Sequence, residues 1–115
     1  MLDRATILGA LRRLAELLRE RGTQGELCLL GGTVMVLAFS ARPSTKDVDA
    51  IFEPASLVRE LARRVAAEQH LPEDWLNDGA KGFLSAHHET TAADLPQFDG
   101  LRVTAPTTEY LLAMK

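Results

Sequence analysis

Two carboxylates stand two residues apart in the run Asp47-Val48-Asp49-Ala50-Ile51-Phe52, which is otherwise made of β-prone apolar residues. A strand has a side-chain period of two, so on a strand both carboxylates share one face, roughly 5 to 7 Å apart. Like charges so placed repel, and packing gives no reason for them, whereas a hard divalent cation such as Mg²⁺ wants oxygen ligands in that arrangement. Upstream, an apolar strand-like run, 27–30, stops on Gly31 and Gly32 and passes directly into an apolar helical run, 33–39, that opens on Thr33. Glycines there leave no Cβ in a ligand's way, and the unpaired amides of a helix start favour an anion such as phosphate. The connecting loop, 41–46, carries Arg42, Ser44 and Lys46. These are two cations and a hydroxyl suited to a triphosphate, and equally the composition of an ordinary polar loop; both readings stay open.

Gly31-Gly32-Thr33 followed by a helix, a loop and Asp47-Val48-Asp49 resembles the signature of the DNA polymerase β-like nucleotidyltransferase superfamily. With Arg42 and Ser44 leading into the paired aspartates, the fuller form is similar to the abortive-infection (AbiEii-type) and mycobacterial MenT-type toxins and to related uncharacterised bacterial proteins. Leu71-Pro72-Glu73-Asp74-Trp75-Leu76-Asn77-Asp78 resembles a segment common in that last group. The resemblance runs from residue 27 onward. It implies an α/β (α+β) nucleotidyltransferase fold, a small mixed β-sheet flanked by helices, in a single domain over 1–115. Asp47 and Asp49 would hold Mg²⁺ against the triphosphate of an NTP. Gly31, Gly32 and Thr33 would cradle its phosphates, with Arg42, Ser44 and Lys46 beside them, and Lys115 would assist as a further cation. The nucleoside monophosphate would pass to a tRNA, or to a hydroxyl of a cognate protein, in a toxin–antitoxin type of system.

The chain departs from that pattern in two places. Such enzymes usually take a third carboxylate from a later strand, and 101–105 contains none; Asp99 and Glu89 lie nearby in sequence but are poorly placed. The toxin-like members also continue past the lysine that is here Lys115, so the sequence resembles a catalytic core without its C-terminal helical part. These departures motivate an alternative, a catalytically inactive binding module that keeps the fold to contact a toxin or antitoxin partner.

Composition sets the frame around these residues. At 115 residues and 46% hydrophobic content, the chain is expected to form one compact domain with a modest core. A net charge of −3 gives no basic footprint that would bind nucleic acid by itself. The single Cys28 excludes an internal disulfide, fits a reducing cytoplasm and reads as a small buried hydrophobe. Neither a signal peptide nor an apolar run of transmembrane length is present, so the expectation is a soluble, cytoplasmic protein with no membrane partner.

The positioning elements follow from periodicity. Residues 3–21 predict a helix whose stripe is Ile7, Leu8, Leu11, Leu14, Ala15 and Leu18, capped by Asp3 and ended by Gly22. Its charged side, with Arg12, Arg13, Glu16, Arg19 and Glu20, reads as a solvated face. Residues 56–69 predict a second amphipathic helix, with Ser56 as cap and Val58, Leu61, Ala62, Val65 and Ala66 facing inward. The segment 71–84 is expected to be partly helical, opened by Pro72 and Glu73, with Trp75, Leu76, Phe83 and Leu84 packing inward. Asn77, Asp78 and Lys81 line either a cleft or, the reading preferred here, a surface turn with Gly79 and Gly82. His87-His88-Glu89 lacks the i, i+4 spacing of helical zinc motifs and is not taken as a metal site. A polar loop over 90–100, a short strand over 101–104 and a helix after Pro106 complete the expectation.

Overall fold

The computed structural model describes residues 2–30, 32–37, 43–78, 90–91 and 95–106. Among them the order is β1 (Leu2–Asp3), α1 (Arg4–Glu20), β2 (Gly25–Leu30), α2 (Gly32–Leu37), β3 (Ser44–Thr45), β4 (Val48–Glu53), α3 (Ala55–Gln69), β5 (Leu76–Asp78), β6 (Thr90–Thr91) and β7 (Leu101–Pro106). The architecture is α+β, a mixed five-stranded sheet in the order β5-β4-β2-β7-β6 with the two long helices on one face. No helix among the described residues is long and apolar enough to cross a membrane.

α1 forms where its stripe predicts it. Asp3 Oδ1 accepts the Thr6 amide at 2.8 Å, so one orphan donor of the first turn is satisfied by the cap. At the other end Gly22, at φ +66°, lets the chain reverse. Its amide bonds to Arg19 O at 2.9 Å and the next, of Thr23, to Leu18 O at 3.0 Å, the paired closure of a Schellman motif. α3 starts one residue earlier than its polar sequence suggests. Ser56 lies inside the helix, the cap position is Pro54 with no side-chain hydrogen bond, and the Val58 amide reaches Pro54 O at 3.0 Å.

β4 lies antiparallel to β2, while β7 is parallel to β2 and β5 parallel to β4. Alternation along these strands makes two different faces. Leu27, Leu29, Val48, Ala50, Phe52, Leu101, Val103 and Ala105 point to the core, where they meet Leu11, Leu14, Leu18, Val58, Leu61 and Val65 of the helices. The opposite face carries Glu26, Cys28, Asp49, Ile51, Glu53, Arg102 and Thr104. At the start of β2 and β7 the helix comes very close. Gly100 sits at φ +92°, and a Cβ there would meet Ala15 O at 2.8 Å, so glycine is required on both counts.

The segment after α3 corrects the expectation most. Residues 76–78 form a strand, not a helix, and the chain reaches it through a turn in which Trp75 N bonds to Pro72 O at 3.0 Å. Trp75 and Leu76 are buried as expected, but they anchor an edge of the sheet. Trp75 has no exposed surface, its Nε1 donates to Ala62 O of α3 at 2.8 Å, and its carbonyl accepts the Val48 amide at 2.7 Å. A short apolar run has no usable period, so a large aromatic with a polar edge to satisfy decided the element through tertiary contact. The two-residue strands β1 and β3, which pair with each other, were likewise not foreseen, and β7 runs two residues past the predicted 104. Phe83, Leu84, Lys81, His87, His88, Glu89 and the helix expected after Pro106 lie outside the described residues.

Candidate functional site

The site forms where β2 ends and β4 begins. Strand pairing sets Leu30, the last residue of β2, opposite Asp49, and sets Asn77 of β5 beside Asp49 on the other side. The strand carrying the acidic pair starts at Val48, one residue later than expected, so Asp47 sits in the bend before it. That bend is fixed through its backbone. The carbonyl of Asp47 accepts the hydroxyl of Thr45 at 3.2 Å and that of Thr33 at 3.4 Å. Thr33 is 1% exposed and Thr45 6%, so both hydroxyls are committed inside the fold.

One side-chain amide stands beside the pair. Asn77 Nδ2 donates to Asp47 Oδ2 at 2.8 Å, and Asn77 is also the register partner of Asp49. Burial pushes the Asp49 carboxyl above its ordinary range and the neighbouring charge of Asp47 pushes it the same way, with Asn77 opposing both. None of the cations placed among the described residues forms an ion pair with either aspartate. Lys46, next in the chain, is exposed and makes no such contact.

The other expected residues are distributed around this point. Gly32 is the first residue of α2, and Thr33 turns its hydroxyl toward the Asp47 backbone. Ser44 lies in β3 opposite Asp3, half-buried. The Arg4 guanidinium donates to the carbonyl of Leu37 in the last turn of α2, which ties that helix to the start of α1. Gly31, Arg42 and Lys115 lie outside the described residues. On β7 the positions that share the open face are Arg102 and Thr104, so the strand offers no carboxylate there; Asp99 is remote, 3.9 Å from Arg19 in a highly exposed pair. Cys28 is half-buried on the same face, and burial pushes its thiol up, with Thr104 opposing.

Among the described residues no three His, Cys, Asp or Glu side chains come close enough together to hold a metal. The third polar group at the pair is the amide of Asn77, so the donor set is two carboxylates and one carboxamide. All three offer the hard oxygens that Mg²⁺ prefers, and the excess negative charge has no counter-charge in the described chain, so the chemistry of the set fits such an ion. A groove of about 380 Å³ adjoins Asn77, lined by Arg59, Arg63, Glu73 and Asp74. The sequence offers Asn77 for a cleft or, by preference, a surface turn; it lies instead on β5 beside Asp49, a placement that the sequence does not give. It stands 30 residues from Asp47, and only the parallel pairing of β5 with β4 brings the two together. Comparison with protein-family models, with curated proteins and with solved structures finds no match for the chain, so its functional reading rests on this geometry and on the motif.

Proposed function

We propose that the chain is a Mg²⁺-dependent nucleotidyltransferase, of nucleotidyltransferase fold, that moves a nucleoside monophosphate from an NTP to a hydroxyl of RNA such as tRNA, or of a protein, in a toxin–antitoxin type of system. The observation that carries the reading is the acidic pair itself, Asp47 and Asp49 close enough for the charge of one to act on the other, with the Asn77 amide on Asp47 and no ion-paired cation among the described residues. The arrangement of β2, α2 and β4 supports it, since the start of α2 at Gly32 and the pair both follow the end of β2 at Leu30, opposite Asp49.

In this reading Asp47 and Asp49 hold Mg²⁺, which would neutralise the charge of the triphosphate as pyrophosphate leaves. Thr33 and Thr45 keep the Asp47 backbone in place, so the carboxylates do not have to be ordered when substrate arrives. The backbone at Gly31 and Gly32 receives the phosphates, with Arg42, Ser44 and Lys46 beside them and Lys115 as a further cation.

One observation favours a second reading, an inactive module that keeps the fold to bind a partner: β7 carries Arg102 and Thr104 on the open face and no carboxylate. Calorimetry with Mg²⁺ and each of the four NTPs, on the parent and on Asp47→Asn/Asp49→Asn, followed by a transfer assay with α-labelled nucleotide and tRNA, separates the readings. Heat that the double variant loses, together with labelled RNA or protein, supports the enzyme. Heat without transfer supports a binding module that still holds nucleotide, and no heat with any nucleotide overturns the enzyme reading.

A further inference from the structure

Asn77 occupies a position that a purely structural residue has little reason to take. It lies on β5, a three-residue strand held by the buried Trp75 and Leu76, and its register partner on β4 is Asp49. From there its amide stands beside both carboxylates, with Nδ2 2.8 Å from Asp47 Oδ2 and Asp49 directly across the strand pairing. An amide nitrogen is the polar, partly positive end of a neutral group, so it relieves the repulsion of the pair without adding a charge. The other end of the same group is a carbonyl oxygen. The terminal torsion of asparagine is broad and roughly two-fold, so the side chain can present either end to the pair at small cost.

We propose that Asn77 is the third member of the cation site, a positioning residue through its amide nitrogen and a neutral ligand through its amide oxygen. The proposal rests on the reading of Asp47 and Asp49 as cation ligands. It places the missing oxygen on β5, on one side of the acidic strand, whereas β7 lies on the other side beyond β2. Carboxamide oxygens are ordinary ligands for hard divalent cations, and a neutral third ligand gives a weaker site than a third carboxylate would. Such a site would depend more on the phosphates of the substrate to complete the shell.

The test uses Mn²⁺ as the probe, with the free ion followed by electron paramagnetic resonance during titration of the whole chain, and folding checked by circular dichroism. Parent protein should bind saturably and Asp47→Asn/Asp49→Asn should not. Asn77→Ala should weaken binding by about tenfold or more, in the range seen when groups that orient metal ligands are removed. Asn77→Asp, which keeps an oxygen and gains a charge, should bind as tightly as the parent or more tightly, while melting lower in chelator. Parent-like binding by Asn77→Ala, or a loss in Asn77→Asp equal to that in Asn77→Ala, overturns the proposal and leaves the acidic pair standing as the cation site. If the parent itself shows no saturable binding, the reading of the pair fails and this inference fails with it. Should Asn77→Ala not fold, Asn77→Asp alone decides, equal or tighter binding supporting the proposal and loss overturning it.

Discussion

The molecule gathers carboxylates in two places and treats them in opposite ways. Between α1 and α3, Glu16, Glu20 and Glu68 surround Arg13, with Glu68 Oε1 at 2.8 Å from Arg13 Nε and Arg64 closing on Glu68 from its own helix at 3.2 Å. The hydrogen bonds and charge of Arg13 hold the Glu68 carboxyl below its ordinary range. At the end of the sheet, Asp47 is met by the neutral amide of Asn77 and not by a cation, and burial with the neighbouring charge of Asp47 holds Asp49 above its ordinary range. Even on the same open face, where Glu26 pairs in register with Glu53, Arg102 stands 3.8 Å from Glu26. Glu16, Glu20, Glu68 and Glu26 each have an arginine within 4 Å. The aspartate pair has no such partner among the described residues; its backing is Thr33 and Thr45 on the Asp47 carbonyl and Asn77 on its carboxylate, which under the proposed function leaves room for an external cation.

The largest expected effect removes that backing. Trp75→Ala takes away a fully buried side chain and its hydrogen bond to Ala62, and should cost about 3–5 kcal/mol in urea denaturation. Because Trp75 carries β5, its loss should also release Asn77 and diminish the response of the pair to Mn²⁺. The Arg13 cluster, built on the two helices, should still bridge them. A cation response equal to the parent's would show that β5 does not set the site.

A smaller effect, of unusual sign, is expected for Asp47→Asn/Asp49→Asn. Most double changes of charged residues destabilise, but this one removes a repulsion and keeps shape and hydrogen-bonding capacity. In chelator the variant should melt at the parent's temperature or above it, and Mg²⁺ should add nothing. Clear destabilisation in chelator would mean that the pair has a stabilising partner in the chain, and the contrast with the Arg13 cluster would collapse.

The smallest effect belongs to the solvated cluster, and its pH dependence has a definite sign. A carboxyl lowered in the folded state binds protons less readily there than in the unfolded chain, so it contributes stability above its unfolded value, here near 4.5, that is lost as pH falls through its folded value. Glu68→Gln should therefore lower the melting temperature slightly at pH 7, and the difference from the parent should shrink as the pH is brought below 4.5. A difference that persists at low pH would trace the loss to packing.

The helices were legible because each rests on local patterns. The stripe Ile7, Leu11, Leu14 and Leu18, the cap at Asp3 and the reversal at Gly22 are stated within one stretch of chain, as is the inward set of α3. The parity of Asp47 and Asp49 was equally local, and it indicated a shared face even though the strand starts only at Val48. What local patterns could not supply was the identity of β5. Trp75-Leu76-Asn77 has no usable period, and the strand exists because Trp75 finds Ala62 and Val48 finds the Trp75 carbonyl.

The chemical character of the candidate site, two carboxylates beside a glycine turn, was therefore determined by the sequence itself, because residue type and spacing along one segment decide it. Which groups stand around those carboxylates was decided only by the tertiary structure. Asn77 reaches Asp47 across 30 residues through a parallel strand pairing, and Thr33 and Thr45 converge on the Asp47 carbonyl from two different elements. The absence of a carboxylate on β7 was readable from residues 101–105, but that β7 lies beyond β2 and not beside β4 was not. Strand order is settled by which apolar faces can be buried together under α1 and α3, a property of the assembled core that no single segment carries.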